Sequence, residues 1–304
     1  MLKIIEKTKI WFSISLIIIL IGVVFMISNK GLELGIDFAG GSTVRLKVPT
    51  KFSNDDKVEA DKIIKKHIPD ATTNIAETPT ESNTMIKELE IKTKATTEEV
   101  KGGKVTTMTA ELKEKFGKEI EVTTQDEIGK TVGKETTWKA LGALALATVF
   151  MLIYIGFRFE VKFATAAVLS LIHDVLITVA FYAVFRKQVD LGFVAAMLTV
   201  IGYSINDTIV VFDRIRENQK YMGKASITEI ANASLTQTMA RSINTVMTVL
   251  ITLVAVYIFV PSIRNFSEPL LVGIISGCYS SIFIASPFYV IFKNRSKKKT
   301  ALAK

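Results

Sequence analysis

Residues 199–218 read TVIGYSINDTIVVFDRIREN. The stretch closes an apolar run that begins near Leu191, so Asn206 and Asp207 fall inside a segment whose hydropathy predicts a membrane-spanning helix. A carboxylic acid inside a bilayer is costly unless it faces protein or water, pairs with a cation, or carries a proton. Asp207 is therefore the first candidate functional residue, and the stretch predicts a membrane fold.

The composition agrees with a membrane protein. The chain has 304 residues, of which 49% are hydrophobic, and its mean hydropathy is +0.36. The single cysteine, Cys278, excludes a disulfide framework and a cysteine-based metal site. The net charge is +9, but residues 30–137 hold 18 Lys/Arg and 20 Asp/Glu, a balance of −2, which leaves +11 for the remainder. This distribution argues against nucleic acid as a partner and favours basic loops on one side of a membrane.

Six apolar segments are long enough to span a bilayer, and they cover residues 10–28, 138–157, 163–185, 189–213, 237–260 and 268–292. A cleaved signal peptide is the alternative for the first segment, although its length favours a retained helix. The connections on the side of the N-terminus are basic and contain Arg158, Lys162, Arg214, Arg216, Lys220, Lys224, Lys293, Arg295 and Lys297 to Lys299. The short loops on the opposite side contain only Arg186, Lys187 and Arg264. The positive-inside rule therefore predicts a multi-pass protein of the cytoplasmic (inner) membrane, with both termini in the cytoplasm.

Residues 31–137 form a polar insert that the orientation places outside the cytoplasm. Residues 42–48 alternate polar and apolar side chains, the pattern of a half-buried strand. A helix after residue 53, two strands around a turn at Thr78-Pro79, a second helix over residues 96–116 and a last strand near residue 120 complete the order βαββαβ. The predicted fold is thus a six-helix membrane bundle with an α+β ferredoxin-like extracytoplasmic domain between helices 1 and 2. Residues 1–30 form the cytoplasmic N-terminus and first helix, 138–292 the other five, and 293–304 a basic cytoplasmic tail.

The fifth segment offers a cation to Asp207. Asp207 lies about 10 Å inside the edge marked by Arg214, and Arg241 lies at a similar depth in the fifth segment. Opposite charges at matched depth are expected to meet, either as a permanent structural salt bridge or as part of a proton path. The same helix face carries a stripe of polar side chains: Thr238, Arg241, Thr245, Thr248 and Thr252. Such a stripe either lines a path for protons or forms hydrogen bonds between packed helices.

The third segment adds His173 and Asp174. Together with Asp207, Asn206 and Arg241 they are the kinds of group that a proton relay needs. The structural alternative for His173 is a hydrogen bond between packed helices. The residues Gly273 to Gly277 predict a packing face of small residues in the last segment. No phosphate-binding loop, paired-histidine metal site or nucleophile motif occurs, so we expect no cofactor and no enzymatic activity, with a proton or Na⁺ as the driving ion.

Two stretches resemble a known family. Residues 35–41, GIDFAGG, and residues 202–218 within the fourth segment are similar to the SecF branch of the SecD/SecF family of export proteins, within the resistance-nodulation-division superfamily. The resemblance implies a SecD partner and use of the proton motive force to promote polypeptide export with the SecYEG channel and SecA. It matches Asp207 and Arg241 to the family's acid and arginine implicated in proton passage. It also assigns an outer motif, in which glycines shape a tight turn, to Gly35, Asp37, Gly40 and Gly41.

An alternative function in the same superfamily is a self-associating exporter of small molecules or lipids. Such pumps usually carry twice as many spans and two outer domains in one chain. The present chain has half of that architecture, so the sequence favours a subunit that requires a partner. Membrane lipids are expected around the six helices in either case.

Overall fold

The computed structural model describes residues 2–79, 85–95 and 103–302. The chain divides into two compact units. One unit comprises Met1–Glu33, Gly142–Tyr257 and Phe266–Lys304, and the other comprises Leu34–Leu141 and Ile258–Asn265. We call them the membrane unit and the α+β unit.

The helices in chain order are α1 (Thr8–Ser28), α2 (Ile36–Ala39), α3 (Asn54–His67), α4 (Lys104–Phe116), α5 (Lys130–Arg158), α6 (Val161–Phe185), α7 (Leu191–Tyr221), α8 (Ile227–Phe259), α9 (Arg264–Ser280) and α10 (Ser286–Leu302). A π-helical turn, Ser281–Ala285, joins the last two. The strands are β1 (Glu33–Leu34), β2 (Gly41–Lys47), β3 (Thr72–Pro79), β4 (Met85–Thr93), β5 (Glu121–Ile128) and β6 (Gln188–Val189).

Six helical segments of the described residues are long and apolar enough to cross a membrane: Ile5–Ser28, Lys130–Arg158, Val161–Phe185, Leu191–Tyr221, Ile227–Phe259 and Pro261–Ser296. The prediction of six spans is confirmed. Each helix extends beyond its predicted apolar run at one end at least, because hydropathy detects only the part that lies in hydrocarbon and not the polar turns that continue the helix. The run predicted from residue 189 instead begins in β6, and α7 begins at Leu191.

The α+β unit contains an antiparallel sheet with the strand order β3-β4-β2-β5. Val44 pairs with Ile91 and Leu46 with Leu89, and all four side chains are buried. Apolar side chains of α3 and α4 belong to the same core. The order strand, helix, strand, strand, helix, strand is the order predicted from the sequence. Alternation predicted β2 well because Val44 and Leu46 lie on its buried face, whereas β5 has no buried residue.

Two local predictions in this unit differ from the structure. The second helix begins at Lys104, after Gly103 with φ of 90°, and the rest of the predicted range, residues 96–102, lies outside the described residues. Thr78 and Pro79, predicted as a turn, are the last residues of β3 and pair with β4. Proline is tolerated at a strand end, where no ladder hydrogen bond from its nitrogen is needed. Residues 80–84, which connect the strands, also lie outside the described residues.

Helix α3 begins with a capping box. The Asp56 amide donates to the Ser53 hydroxyl at 3.2 Å, and the Ser53 amide donates to the Asp56 carboxylate at 2.8 Å. The Ser53 hydroxyl also donates to the same carboxylate at 2.9 Å. The two bonds that the carboxylate accepts, from the Ser53 amide and the Ser53 hydroxyl, favour its ionised form, so the pKa of Asp56 lies below its ordinary value of 3.8. The first turn of α3 is therefore tied to an ionised carboxylate.

Small residues allow the helices of the membrane unit to approach closely. A side chain at Gly22 of α1 would overlap Ala180 of α6, and one at Gly273 of α9 would overlap Val200 of α7. At Gly277 an added Cβ would lie 3.1 Å from Ser204 Cβ. The packing face predicted for the last span therefore lies against α7, and it brings the serines of both helices close to one another.

Candidate functional site

Asp174 of α6 accepts hydrogen bonds from three serines on two other helices. Its Oδ2 accepts from Ser204 Oγ at 2.6 Å and Ser280 Oγ at 2.7 Å, and its Oδ1 accepts from Ser276 Oγ at 2.6 Å. The Asp174 side chain is fully buried. One carboxylate therefore joins α6, α7 and α9 in the interior of the membrane unit.

His173 extends this network toward α1. Its Nδ1 lies 3.1 Å from Asp174 Oδ1, and its Nε2 lies 2.9 Å from Ser15 Oγ. The Ser15 hydroxyl in turn lies 3.4 Å from the Tyr279 hydroxyl, which donates to the carbonyl oxygen of Trp11 at 2.8 Å. His173 thus makes one interhelical hydrogen bond, to Ser15, as in the structural alternative, and it also connects Asp174 to a line of hydroxyl groups.

Asp207 of α7 is buried and is held by two serines. Ser242 Oγ of α8 donates to its Oδ1 at 2.7 Å, and Ser281 Oγ donates to its Oδ2 at 2.5 Å. Ser281 directly follows Ser280, which binds Asp174. Two neighbouring serines therefore hold the two buried acids of the site.

The backbone at this point of the last span is irregular. Consecutive residues of a helix point about 100° apart, so neighbouring serines can reach acids on two different helices. The π-helical turn begins at Ser281, and the Ser286 hydroxyl donates to the Ser281 carbonyl oxygen at 3.0 Å. π-helical turns occur frequently at functional sites.

Arg241 and Asn206, two of the predicted relay residues, are exposed on the surface of the chain. The expected meeting of Asp207 with Arg241 is wrong for this structure, because both Asp207 oxygens accept from serines and no ion pair of Arg241 occurs among the described residues. The next residue, Ser242, faces Asp207 instead. Because consecutive residues of a helix point about 100° apart, Arg241 then points away from Asp207. Neither a permanent lock nor a functional ion pair between the two charges is formed within this chain.

The predicted polar stripe of α8 lies mostly on the same exposed surface. Thr238 is buried, whereas Thr245, Thr248 and Thr252 are exposed. The exposed hydroxyls donate to carbonyl oxygens of their own helix at 2.8–3.1 Å: Thr245 to Arg241, Thr248 to Thr245, and Thr252 to Thr248. The stripe does not bond α8 to another helix through these hydroxyls.

The serines of the last span bind both acids and are not among the residues predicted for the site. Ser276 and Ser280 have the i, i+4 spacing of one helix face in an apolar segment, and Ser281 points about 100° away from Ser280. That spacing was a usable signal, but serines in membrane helices commonly bond to their own backbone, as Ser170 does to the Ala167 carbonyl oxygen at 2.8 Å. Only the packing of three helices distinguishes the two roles.

The outer motif forms a tight connection in the α+β unit. Gly35 caps the short helix α2, which contains Asp37, and Gly40 and Gly41 then enter β2 with φ of 78° and 146°. A side chain at Gly41 would overlap the carbonyl oxygen of Thr93 in the neighbouring strand. Glycine is required here because the backbone is left-handed and the strand lies close.

Among the described residues, no group of three or more His, Cys, Asp or Glu side chains is arranged to hold a metal ion. The polar groups of the site are two carboxylates, one imidazole and the hydroxyls that bond to them. A hydroxyl both donates and accepts hydrogen bonds, so it can remain bonded to a carboxyl group in either protonation state.

Comparison with known proteins gives the family. The model of the family described as protein export membrane protein SecD/SecF, C-terminal, matches residues 107–295, and that of the SecD/SecF GG motif matches residues 25–48. The chain belongs to the SecD/SecF family. The resemblance predicted from residues 35–41 and 202–218 is thereby confirmed.

Family members of two lengths match the chain. The protein translocase subunit SecF of Sebaldella termitidis is 39% identical over 298 residues, which are 97% of this chain and 93% of the relative. The protein translocase subunit SecDF of Bacillus subtilis is also 39% identical, over 97% of this chain but 38% of the relative. This chain therefore corresponds to a part of the longer SecDF proteins.

Two solved structures share the fold. The crystal structure of SecDF from Thermus thermophilus, described as a translocon-associated membrane protein, matches with a TM-score of 0.74 and 27% identity over 96% of this chain. A structure of SecDF in a super-membrane-facing form matches all of this chain with a TM-score of 0.73 and 27% identity. The chain spans about two fifths of each of these SecDF chains, 39% and 40% respectively.

Proposed function

We propose that this chain is the SecF-type subunit of a protein translocase, and that proton exchange at Asp207 drives its contribution to polypeptide export. The observation that carries the proposal is a buried acid in a membrane span of a SecD/SecF family member, held by two hydroxyls and without a cation. An acid inside a membrane span costs free energy, so its presence there indicates a function. The proposal includes no enzymatic step.

The serine contacts support exchange of the proton. Ser281 and Ser242 can donate to an ionised Asp207 or accept from a protonated one, so either state is accommodated without moving a helix far. The adjacent Ser280 leads to Asp174 and then to His173. Because Ser280 and Ser281 are adjacent in the backbone, a change of protonation at Asp207 can alter the contacts of α6, α7 and the last span.

The membrane potential supplies an adequate driving force. Moving one charge through 100 mV is worth about 2.3 kcal/mol, which changes a two-state equilibrium about 50-fold. If one state is selected by protonation of Asp207, that bias is sufficient to drive a domain movement in one direction. The α+β unit, outside the cytoplasm, is the part that would act on the exported chain after SecA and the SecYEG channel have begun its movement.

The exposed polar residues of the membrane spans are evidence for a partner subunit. Arg241, Thr245 and Asn206 lie on the surface of this chain although they belong to membrane-crossing helices. Polar groups at such depth face protein or water rather than lipid. A SecD-type subunit is the partner that we propose for this surface, because SecDF relatives match this chain over only a part of their length. In the assembled complex, Arg241 is then available to groups of the partner.

The decisive variant is Asp207→Asn, which keeps the size of the side chain and removes its exchangeable proton. We expect the complex to assemble normally and to lose export that depends on a proton gradient. The matched control is Asp213→Asn in the same helix, because Asp213 is partly exposed and pairs with Arg216 at 2.8 Å. Export into membrane vesicles with and without an imposed gradient measures both variants. Normal gradient-dependent export by Asp207→Asn would refute the proton role.

The partner is tested separately by gentle affinity purification from the native membrane, followed by mass spectrometry. Recovery of a six-span SecD-type protein, with or without the channel, is the expected result. Recovery of the chain alone as a stable oligomer would contradict the translocase assignment.

A further inference from the structure

A cavity of about 420 Å³ lies in the membrane unit between α1, α6 and α9. Its outer walls are apolar side chains of these three helices: Ile14, Ile18, Ile177, Phe181, Val272 and Ile275. The surface exposed to the cavity is apolar, and every wall residue belongs to a membrane-crossing segment. An apolar cavity of about 150 Å³ already binds a molecule such as benzene, so this one is large enough for a longer hydrocarbon.

The cavity lies at the depth of the lipid tails. Ile14 and Ile18 follow the start of α1 at Thr8 by six and ten residues, which corresponds to about 9 and 15 Å along the helix. Both positions fall within the hydrocarbon core, which is about 30 Å thick. At this depth an occupant is either a lipid tail or another protein segment.

The mouth of the cavity faces outward from the helix bundle. Ile14, Ile18 and Ile275 are 41%, 44% and 55% exposed, so they border open surface of a membrane-crossing region. We propose that the cavity binds one acyl chain of a membrane lipid. The proposal does not depend on the proton role of Asp207.

The polar residues of the inner wall indicate what the bound acyl chain does. His173, Ser15 and Ser276 border the cavity but are each at most 7% exposed, since they bond to one another or to Asp174. Water that entered from this side would compete for the bond between Ser15 and His173. An acyl chain fills the cavity without competing, because hydrocarbon offers no donor or acceptor. The lipid therefore keeps the hydrogen-bond network dry from its α1 side.

Photochemical labelling tests the site. The full chain is reconstituted in vesicles of phosphatidylethanolamine and phosphatidylglycerol that contain a trace of phosphatidylethanolamine with a diazirine in one acyl chain. After irradiation, labelled positions are mapped by mass spectrometry. We expect labelling of Ile14, Ile18 and Ile275 to exceed that of Ile251, an exposed residue of α8, by about tenfold.

Two filling variants and one control make the test specific. Ile275→Trp and Ile18→Trp place an indole in the mouth, and each should lower labelling of the cavity about tenfold, the loss expected when about two methylene groups are displaced. Ile251→Trp makes the same chemical change on an open helix face and should leave cavity labelling unchanged.

Three results would overturn the proposal. The first is equal labelling of the cavity and Ile251, which describes lipid that merely surrounds the protein. The second is cavity labelling that neither tryptophan variant alters. The third is protection of the cavity by a co-purified partner subunit, in which case the occupant is a protein side chain.

Discussion

Replacement of Asp174 by alanine removes the acceptor of three serine hydroxyls that come from two other helices. Ser204, Ser276 and Ser280 donate to this carboxylate at 2.6–2.7 Å in the wild-type chain. In Asp174→Ala the hydroxyls lose their common partner, and α6 loses its polar connection to α7 and α9 at this level. We expect a strong loss of stability of the membrane unit.

The magnitude follows from the number of bonds. Interhelical hydrogen bonds in membrane proteins contribute about 0.6 kcal/mol on average and about 1.7 kcal/mol at most, so three of them contribute roughly 2 to 5 kcal/mol. The upper half of this range applies because the bonds are short, the acceptor is a carboxylate and the site is fully buried. Part of the loss is recovered, since a serine can turn to its own helix, as Ser280 already does toward the Gly277 carbonyl oxygen at 3.2 Å. The expected net loss is about 3 kcal/mol.

Reversible unfolding of the purified chain in mixed micelles, followed by tryptophan fluorescence, measures this loss. Ser170→Ala is the matched control, because Ser170 is buried in the same helix but bonds only to the Ala167 carbonyl oxygen. We expect it to change stability by less than about 0.5 kcal/mol. Asp174→Asn should lie between the two, since an amide keeps one acceptor oxygen and places a donor opposite serine hydroxyls.

A loss below about 0.5 kcal/mol in Asp174→Ala would refute this reasoning. Such a result would mean that the cost of burying the carboxylate cancels the contribution of its hydrogen bonds, as happens for some buried charges. The carboxylate would then be retained for a function and not for the cohesion of the three helices.

Three further predictions concern the glycines and the capping box. Gly273→Ala should destabilise the membrane unit by about 1–3 kcal/mol in the same unfolding assay, whereas Gly142→Ala, where the added Cβ meets open space, should be neutral or stabilising. Gly41→Ala should destabilise the α+β unit by about 1–3 kcal/mol or more, measured by protease resistance, because its φ of 146° is strained for alanine and the adjacent strand leaves no room. The lowered pKa of Asp56 stabilises α3 above the ordinary carboxyl value of 3.8, and this contribution is lost as the pH falls through the lowered folded-state value. The protection factors of the amides in the first turn of α3, which correct for the intrinsic pH dependence of exchange, should therefore fall in acid in the wild-type chain and depend less on pH in Asp56→Asn. The same acid response in both chains would show that Ser53 does not act through this carboxylate.

The sequence alone singles out candidate residues where a side chain is energetically unfavourable in its surroundings. Asp207 and Asp174 stand out in apolar segments because burying an acid in a membrane span costs free energy and therefore indicates a function. The serines that bind them do not stand out, since serine is tolerated in a membrane helix with or without an interhelical partner. Arg241 was expected to face Asp207 from its depth alone, but depth does not specify direction around the helix.

The six spans, the αβ order of the insert and the family can all be derived from the sequence alone. These properties are local, because hydropathy over about 20 residues, alternation along a strand and a contiguous motif need no information from distant parts of the chain. Which polar groups meet depends on how the helices pack: Ser281 and Ser242 lie at Asp207, three serines and His173 lie at Asp174, and Arg241 lies on the outer surface. The physical reason is the rotation of each helix about its axis. A difference of one residue turns a side chain by about 100°, and that rotation is set by the close packing of small residues on separate helices, which no single segment contains.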